Sequence, residues 1–206
     1  MRFYDKHILP RVLNWTCGSA PIQQQRQKVV PLAEGRVLEI GIGSGLNLPF
    51  YDAGKVNHII GLDPAEEMLR YARRRSENLP FTVEYLTLDG EQIPLDRESV
   101  DTVLVTYTLC TIPNVVSALE GMRRVLKRSG QLIFCEHGKA PDEVVRRWQH
   151  RLNPIWGRIG GGCSLDRDIP DLVEKSGFTI DNLNSAYLPK TPRFAGFNYW
   201  GTAKPR

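Results

Sequence analysis

The sequence predicts an α/β domain, a mostly parallel sheet with helices on both faces, and three observations carry that prediction. Short apolar runs alternate with helix-period segments from residue 36 onward, as a chain of strand–helix–strand units requires. One run, Val37-Leu38-Glu39-Ile40, leads straight into Gly41-Ile42-Gly43-Ser44-Gly45, alternating glycines that let a backbone turn sharply and approach a ligand. An acid, Asp63, closes the next apolar run about twenty residues on, which is the layout of a nucleoside-binding crevice in an open sheet.

The elements follow in order. Val37–Ile40 is the first strand, and Leu46 to about Tyr51 opens the first helix, with Pro49 placed in its first turn where a missing N–H costs nothing. His58–Leu62 is the second strand, Ala65 to about Ser76 the second helix, Phe81–Leu86 the third strand and Ser99–Thr106 the fourth. Asn114 caps a helix whose Val115, Ala118, Leu119, Met122, Val125 and Leu126 recur at helical spacing, and Lys127, Arg128 and Gly130 supply its stop. Gln131–Cys135 is the fifth strand, Ile169 to about Ser176 a short helix closed by Gly177, and strands near Phe178–Ile180 and Asn198–Ala203 complete the sheet.

Residues 1–206 read as one domain, long enough for a sizeable core. Residues 1–34 form an N-terminal arm, and residues 138–166 lengthen the connection on the side where substrate recognition should reside. A hydrophobic content of 41% and 24% charged residues are those of a soluble globular protein. A net charge of +4 is too small for a nucleic-acid arm, and no obligate protein partner is expected. No apolar run approaches the roughly 18 residues of a membrane span, and no signal-peptide core is evident, so the expected location is cytoplasmic. Cys17, Cys110, Cys135 and Cys163 form no C-x-x-C pair. They are expected as free thiols, and no ligand spacing supports a metal site.

The ligand is narrowed by two details of the glycine turn. The dinucleotide fingerprint G-x-G-x-x-G would need its third glycine at Leu46, so the match fails there. Glu39 places a carboxylate just before the loop, where a pyrophosphate is repelled and a cation attracted. S-adenosyl-L-methionine carries an ammonium and a sulfonium and no phosphate, and the residues favour it over NAD.

With those residues in register, the chain resembles the class I methyltransferases over about residues 35 to 137. Their first motif, acid-x-G-x-G-x-G, is matched by Glu39, Gly41, Gly43 and Gly45. The acid after their second strand corresponds to Asp63, and the acid after the third to Asp89 in Leu88-Asp89-Gly90-Glu91. The resemblance implies a Rossmann-like seven-stranded, mostly parallel sheet and a bound S-adenosylmethionine. It further implies that Glu39 and the glycines hold the methionine end, Asp63 the ribose, and Asp89 with Gly90 the adenine. Met68 either flanks the adenine or belongs to the core. Thr106 and Tyr107 end the fourth strand toward the methyl donor, as cofactor and acceptor contacts respectively.

A narrower resemblance rests on Thr108-Leu109-Cys110-Thr111-Ile112, Glu136-His137, Trp148-Gln149, Pro154-x-Trp156 and Gly162-Cys163-x-Leu165-x-Arg167. Together they are similar to the methyltransferase-like 7 group, alkyl-thiol methyltransferases tethered to membranes by an N-terminal hydrophobic segment that this arm lacks. The implied partner is a small lipophilic acceptor, an alkyl thiol, with a lipid or quinone precursor as the alternative and non-catalytic cofactor binding as a further one. His137, past the fifth strand, is read as a base or orienting group. Trp148, Leu152, Ile155, Trp156 and Ile159 make an apolar helical stripe among Arg146, Arg147, Arg151 and Arg158, with Pro154 as a kink. The stripe is read as a lid packed on the domain, with weak peripheral contact to an anionic membrane as the alternative. Tyr4, Tyr107, Trp148 and Trp156 are the expected acceptor contacts.

Overall fold

A computed structural model describes residues 9–206 of the chain. Tyr4, expected in the acceptor pocket, lies outside the described residues. The arm forms α1 (Leu9–Cys17) and α2 (Ala20–Val29), then a 3-10 turn at Val30–Leu32 leads into β1 (Gly35–Ile40). There follow β2 (Val56–Leu62), α3 (Glu66–Ser76), β3 (Thr82–Leu86), β4 (Val100–Thr106), α4 (Val115–Val125) and β5 (Leu126–His137). The chain continues through α5 (Glu143–Ile159), α6 (Ile169–Lys175), β6 (Phe178–Tyr187), α7 (Arg193–Gly196) and β7 (Phe197–Pro205).

The strands make one seven-stranded sheet in the order β3-β2-β1-β4-β5-β7-β6. β1 to β5 run parallel, and β7 runs antiparallel to both neighbours. Period-two alternation divides the core. Leu38, Ile40, Ile60 and Leu62 face α4 through Ala118, Leu119 and Met122, while Val37, Ile59 and Leu104 face Val29 and Leu69 from α2 and α3. Apolar side chains on both faces are what a parallel sheet demands. Strand order reverses between β1 and β4, so the loops after those strands splay apart and leave a crevice.

Three local expectations are corrected. Leu46 to Tyr51 does not open a helix; it forms turns and a 3-10 segment at Leu48–Phe50. The physical reason is side-chain capture, because Tyr51 donates its hydroxyl to Glu39 at 2.6 Å and Asn47 donates to the same carboxylate at 2.9 Å. The Asn114 cap is present, accepting from Ser117 N–H at 3.2 Å, but α4 ends at Val125. The expected stop residues fall inside β5, which pairs at Leu126 and resumes register at Gln131, with Lys127 drawn to Asp101 at 2.7 Å.

The third correction concerns α5. Its apolar stripe is divided: Trp148 is 54% exposed and Ile155 62%, while Leu152 and Trp156 are half-buried, with Trp156 edge-on to Phe194 at 5.7 Å. The helix instead buries Gln149. The Gln149 amide nitrogen donates to the carbonyls of Gly138, Leu165 and Phe194 at 2.9–3.1 Å, and its oxygen accepts from Ala140 N–H at 3.0 Å. A fully satisfied polar side chain thus ties two loops and α7 to the helix where an apolar one would have left four backbone groups unpaired.

Candidate active site

The crevice beyond β1, β2 and β4 has a volume of about 430 Å³. Eight of the expected residues meet on its wall: Gly41, Gly43, Asp63, Met68, Asp89, Gly90, Thr106 and Tyr107. Gly43 holds φ at +53°, and a Cβ placed there would find nothing nearer than 3.7 Å, with the methyl of Met68, the Asp63 carboxylate and the Gly41 carbonyl at ordinary contact distance. Its bare backbone therefore faces open crevice, available to a ligand at close range. Gly45 does not line the crevice; with φ at +77° it presses against α3, where a Cβ would stand 3.1 Å from the Ala72 Cα. Its role is packing of the loop on the helix.

Asp63 closes the same turn. Its carboxylate accepts from Gly43 N–H at 3.0 Å and from Ala65 N–H at 2.9 Å, and each oxygen keeps a lone pair for a ligand hydroxyl. Burial raises its pKa, with the two N–H groups opposing.

Glu39 is placed differently from its expectation. It shares a face of β1 with Val37, is wholly buried, and stands behind the crevice wall. Its charge reaches the crevice through a relay. Asn47 donates to Glu39 at 2.9 Å and to Thr106 Oγ1 at 3.0 Å, and accepts from Arg26 Nη1 at 2.5 Å, while Arg26 also donates to Thr106 at 2.8 Å.

Arg26 was not anticipated from sequence. It lines the crevice although it is only 5% exposed, and its guanidinium lies over the Tyr107 ring at 5.4 Å. Its Nε is buried without a partner. Asn14 and Cys17 of α1 join it on the wall, as does Gly161 from the loop after α5. The arm and the extension therefore do reach the crevice, through these small or charged groups. Trp148 and Trp156 do not line it.

The β4 end is held by two devices. Tyr107 takes a left-handed φ of +54°, a conformation costing a non-glycine residue roughly 1–2 kcal/mol, and is kept there by its N–H to Cys135 O at 2.9 Å and its hydroxyl donating to Asn198 at 2.8 Å. Glu136, named with His137 in the narrower resemblance but given no role there, accepts from the N–H groups of Thr108 and Leu109 at 2.7 and 3.0 Å.

His137 is half-buried and off the crevice wall, its Nε2 3.1 Å from Cys163 Sγ and its buried Nδ1 without a partner. Burial opposes its charged form, but the hydrogen bond and charge of Cys163, with the Glu136 carboxylate, outweigh it and raise the pKa. Cys163 also accepts from Trp156 Nε1 at 3.3 Å. Its thiol is pushed down, chiefly by a hydrogen bond from Cys110 and then by His137. Cys110 Sγ, His137 Nε2 and Cys163 Sγ all lie within 4.8 Å of one another. Spacings of 27 and 26 residues gave no hint of that cluster.

The profile of a methyltransferase domain family matches residues 38–134, the span from β1 to β5. A thiol S-methyltransferase, TMT1B of Rattus norvegicus, is 33% identical over 171 residues, covering 79% of this chain and 70% of its own. The chain belongs to the methyltransferase-like 7 group of class I S-adenosylmethionine-dependent methyltransferases. A demethylmenaquinone methyltransferase of Thermus thermophilus is 28% identical over 180 residues, covering 83% of this chain and 80% of its own. A solved S-adenosylmethionine-dependent methyltransferase of Leishmania major shares the fold, with a TM-score of 0.71 at 16% identity over 98% of this chain and 80% of its own.

The methyltransferase uses S-adenosylmethionine, and the crevice residues fit it. An orphaned guanidinium N–H suits a carboxylate, the open space above Gly43 admits the ligand backbone-close, and Asp63 retains acceptors for hydroxyls. No pyrophosphate-sized cluster of cations is present among the lining residues.

The two buried carboxyls give a pH signature. Burial raises Glu39 to about 7 and Glu136 to about 7, against an unfolded value of about 4.3. Between those values the folded chain holds protons that the unfolded chain has released. The stability they contribute is complete below about pH 4.3 and is lost as pH rises through about 7. The urea midpoint of the ligand-free protein should fall from about pH 5 to about pH 8, and Glu39→Gln, which does not titrate, should flatten that fall. A wild-type midpoint that rises across this window would contradict the assignment.

Proposed function

We propose that this methyltransferase transfers the methyl group to the sulfur of a small lipophilic thiol. The observation that carries the reading is that, among the described residues, no free base lines the acceptor end of the crevice. The wall beyond β4 offers Tyr107, Thr108, Thr111, Ile112 and Pro113; the Tyr107 hydroxyl is committed to Asn198 and its pKa is pushed well above 10, first by burial. The neighbouring His137 imidazole does not line the crevice and gives its Nε2 to Cys163. A thiol suits such a site because it ionises unaided near pH 8.5, whereas a phenol or amine needs a proton taken from it. The likeness to thiol S-methyltransferases supports the same choice. The reducing cytoplasm, where thiols persist, is the fitting compartment.

Each residue has a part in this reading. The cofactor supplies an electrophilic methyl group on a sulfonium. Arg26 takes the methionine carboxylate, with Glu39 setting the local charge through Asn47. Asp63 holds the ribose hydroxyls, and Asp89 with Gly90 the adenine, against Met68. Thr106 and Tyr107 fix the wall between donor and acceptor, while Asn14 and Cys17 of the arm exclude water. The protein's work is alignment of two reactants, which suits an in-line displacement.

The test is S-adenosylhomocysteine production from lipophilic thiols, phenols and amines of matched size. Thiols should turn over at least about 100-fold faster than the others. Turnover confined to phenols or amines would reject the thiol acceptor.

The quinone and lipid alternative keeps one specific support, the outward face of α5. Val144, Trp148 and Ile155 are exposed on one side of the helix, with Arg147, Arg151 and Arg158 exposed beside them. No helix among the described residues is long and apolar enough to cross a membrane. A tryptophan on an apolar face flanked by arginines matches peripheral contact with an anionic bilayer, which would let a lipophilic acceptor reach the protein from the lipid. The methyltransferase should sediment with phosphatidylserine-containing vesicles and not with neutral ones, and Trp148→Ala should weaken that binding. Equal sedimentation of wild type and Trp148→Ala would remove α5 from the account.

A further inference from the structure

Cys110, His137 and Cys163 arrive from three different elements: the loop after β4, the last residue of β5 and the loop after α5. Their potential ligand atoms lie within 4.8 Å of one another, with His137 Nε2 and Cys163 Sγ at 3.1 Å. Tetrahedral zinc, with bonds of about 2.3 Å to sulfur and about 2.0 Å to nitrogen, would set sulfur–sulfur distances near about 3.8 Å and sulfur–nitrogen distances near about 3.6 Å. Side-chain adjustments of about an ångström therefore suffice.

The frame around the cluster is built rather than loose. Ser164 N–H donates to Cys110 O at 2.9 Å, joining two of the loops, and the Arg167 guanidinium donates to Leu109 O. Trp156 Nε1–H donates to Cys163 Sγ at 3.3 Å, the kind of outer hydrogen bond that orients a thiolate ligand. Gly160, Gly161 and Gly162 precede Cys163, the last two with φ of +64° and +90°, and bring the chain back sharply from α5.

The cluster also adjoins the crevice. Thr111, next to Cys110, and Gly161, two residues before Cys163, both lie on its wall. Cys17, on the same wall, is near enough to Cys163 for their charges to interact.

We propose that Cys110, His137 and Cys163 form a three-ligand site for a thiophilic divalent cation of the zinc type, whose fourth position receives the sulfur of the methyl acceptor. Its acceptor half rests on the thiol reading above. Two soft thiolates and an imidazole select such a metal, and three protein ligands with an open position are the pattern of catalytic rather than structural zinc. On binding, the acceptor's S–H proton passes to solvent, the metal–water bond breaks and a metal–sulfur bond forms. The acceptor is then held as a thiolate beside the methyl donor with no side chain acting as base.

The test uses the full chain, reduced and stripped of metal by a chelator, then titrated with Co²⁺ and with Zn²⁺. The structure calls for one Co²⁺ per chain with tetrahedral thiolate-to-cobalt bands, displaced by Zn²⁺, and shifted when a small alkyl thiol is added. Cys163→Ser and Cys110→Ser should weaken uptake at least about 100-fold, and Trp156→Phe about 10-fold, while S-adenosylhomocysteine affinity shows that the variants are folded. Cys17→Ser should leave uptake unchanged. No uptake by the reduced wild type, uptake indifferent to Cys163→Ser, or a Cys110–Cys163 disulfide that persists in its place would overturn the site. Loss of metal in Cys17→Ser, or bands unmoved by thiol, would overturn the open position. Thiol methylation by protein that binds no metal would sink the site and spare the thiol reading; thiol binding at cobalt without methylation would do the reverse.

Discussion

The arrangement depends on one constraint, a carboxylate taken out of water inside a parallel sheet. Glu39 sits on β1 with 1% exposure, and leaving such a charge unpaired is among the costlier errors a fold can make. Tyr51 and Asn47 satisfy it from the segment that follows the glycine turn, and Asn47 in turn engages Arg26 from the arm and Thr106 from β4. Four parts of the chain are thereby fixed relative to one another: β1, the turn after it, α2 and the end of β4. The glycine turn is held open because its flanks are committed to this network, and the arm is seated because its arginine is held by Asn47, Thr106 and the Tyr107 ring.

That network gives the crevice two unlike ends. Around Gly43, Asp63 and Asp89 the wall carries acceptors and bare backbone, and around Arg26 it carries a buried cation. Beyond β4 the wall becomes hydroxyl and aliphatic. There Glu136 immobilises the backbone of Thr108 and Leu109, and the left-handed Tyr107 turns its ring under Arg26. In the proposed reading, a rigid donor end beside an acceptor end that carries no base among the described residues is a device for alignment. It asks the acceptor to bring its own nucleophilicity, whether from its acidity or from a cation held by the cysteine cluster.

Much of the donor end was legible in the sequence because its signals are local. Gly41, Gly43, Asp63 and Asp89 sit at strand ends where alternation and breaker residues can be read directly. Arg26 was not legible, because it lies in a polar, glutamine-rich stretch and its partners Asn47 and Thr106 are far along the chain. Glu39 was identified but misplaced by one layer; the motif marks the residue, and only the pairing with Tyr51 and Asn47 shows that it points away from the crevice. On α5 the helical period is present, but only Leu152 and Trp156 of the stripe turn toward the domain, while Trp148 and Ile155 face outward. Periodicity cannot tell which face turns inward, and Gln149 took that place because four backbone groups required it. The cysteine–histidine cluster assembles from three elements, so no spacing rule reaches it.

The central claim, that a buried arginine on the arm reads the methionine carboxylate of the cofactor, is tested most directly by paired calorimetry. S-adenosylhomocysteine and its decarboxylated analogue should be titrated into wild type and Arg26→Ala. A hydrogen bond to a charged group is worth about 1.5–3 kcal/mol, and about 1.4 kcal/mol is tenfold in affinity. Wild type should therefore prefer the carboxylate-bearing ligand by about 10- to 150-fold, and folded Arg26→Ala should bind both alike. The same preference surviving in Arg26→Ala would contradict the account.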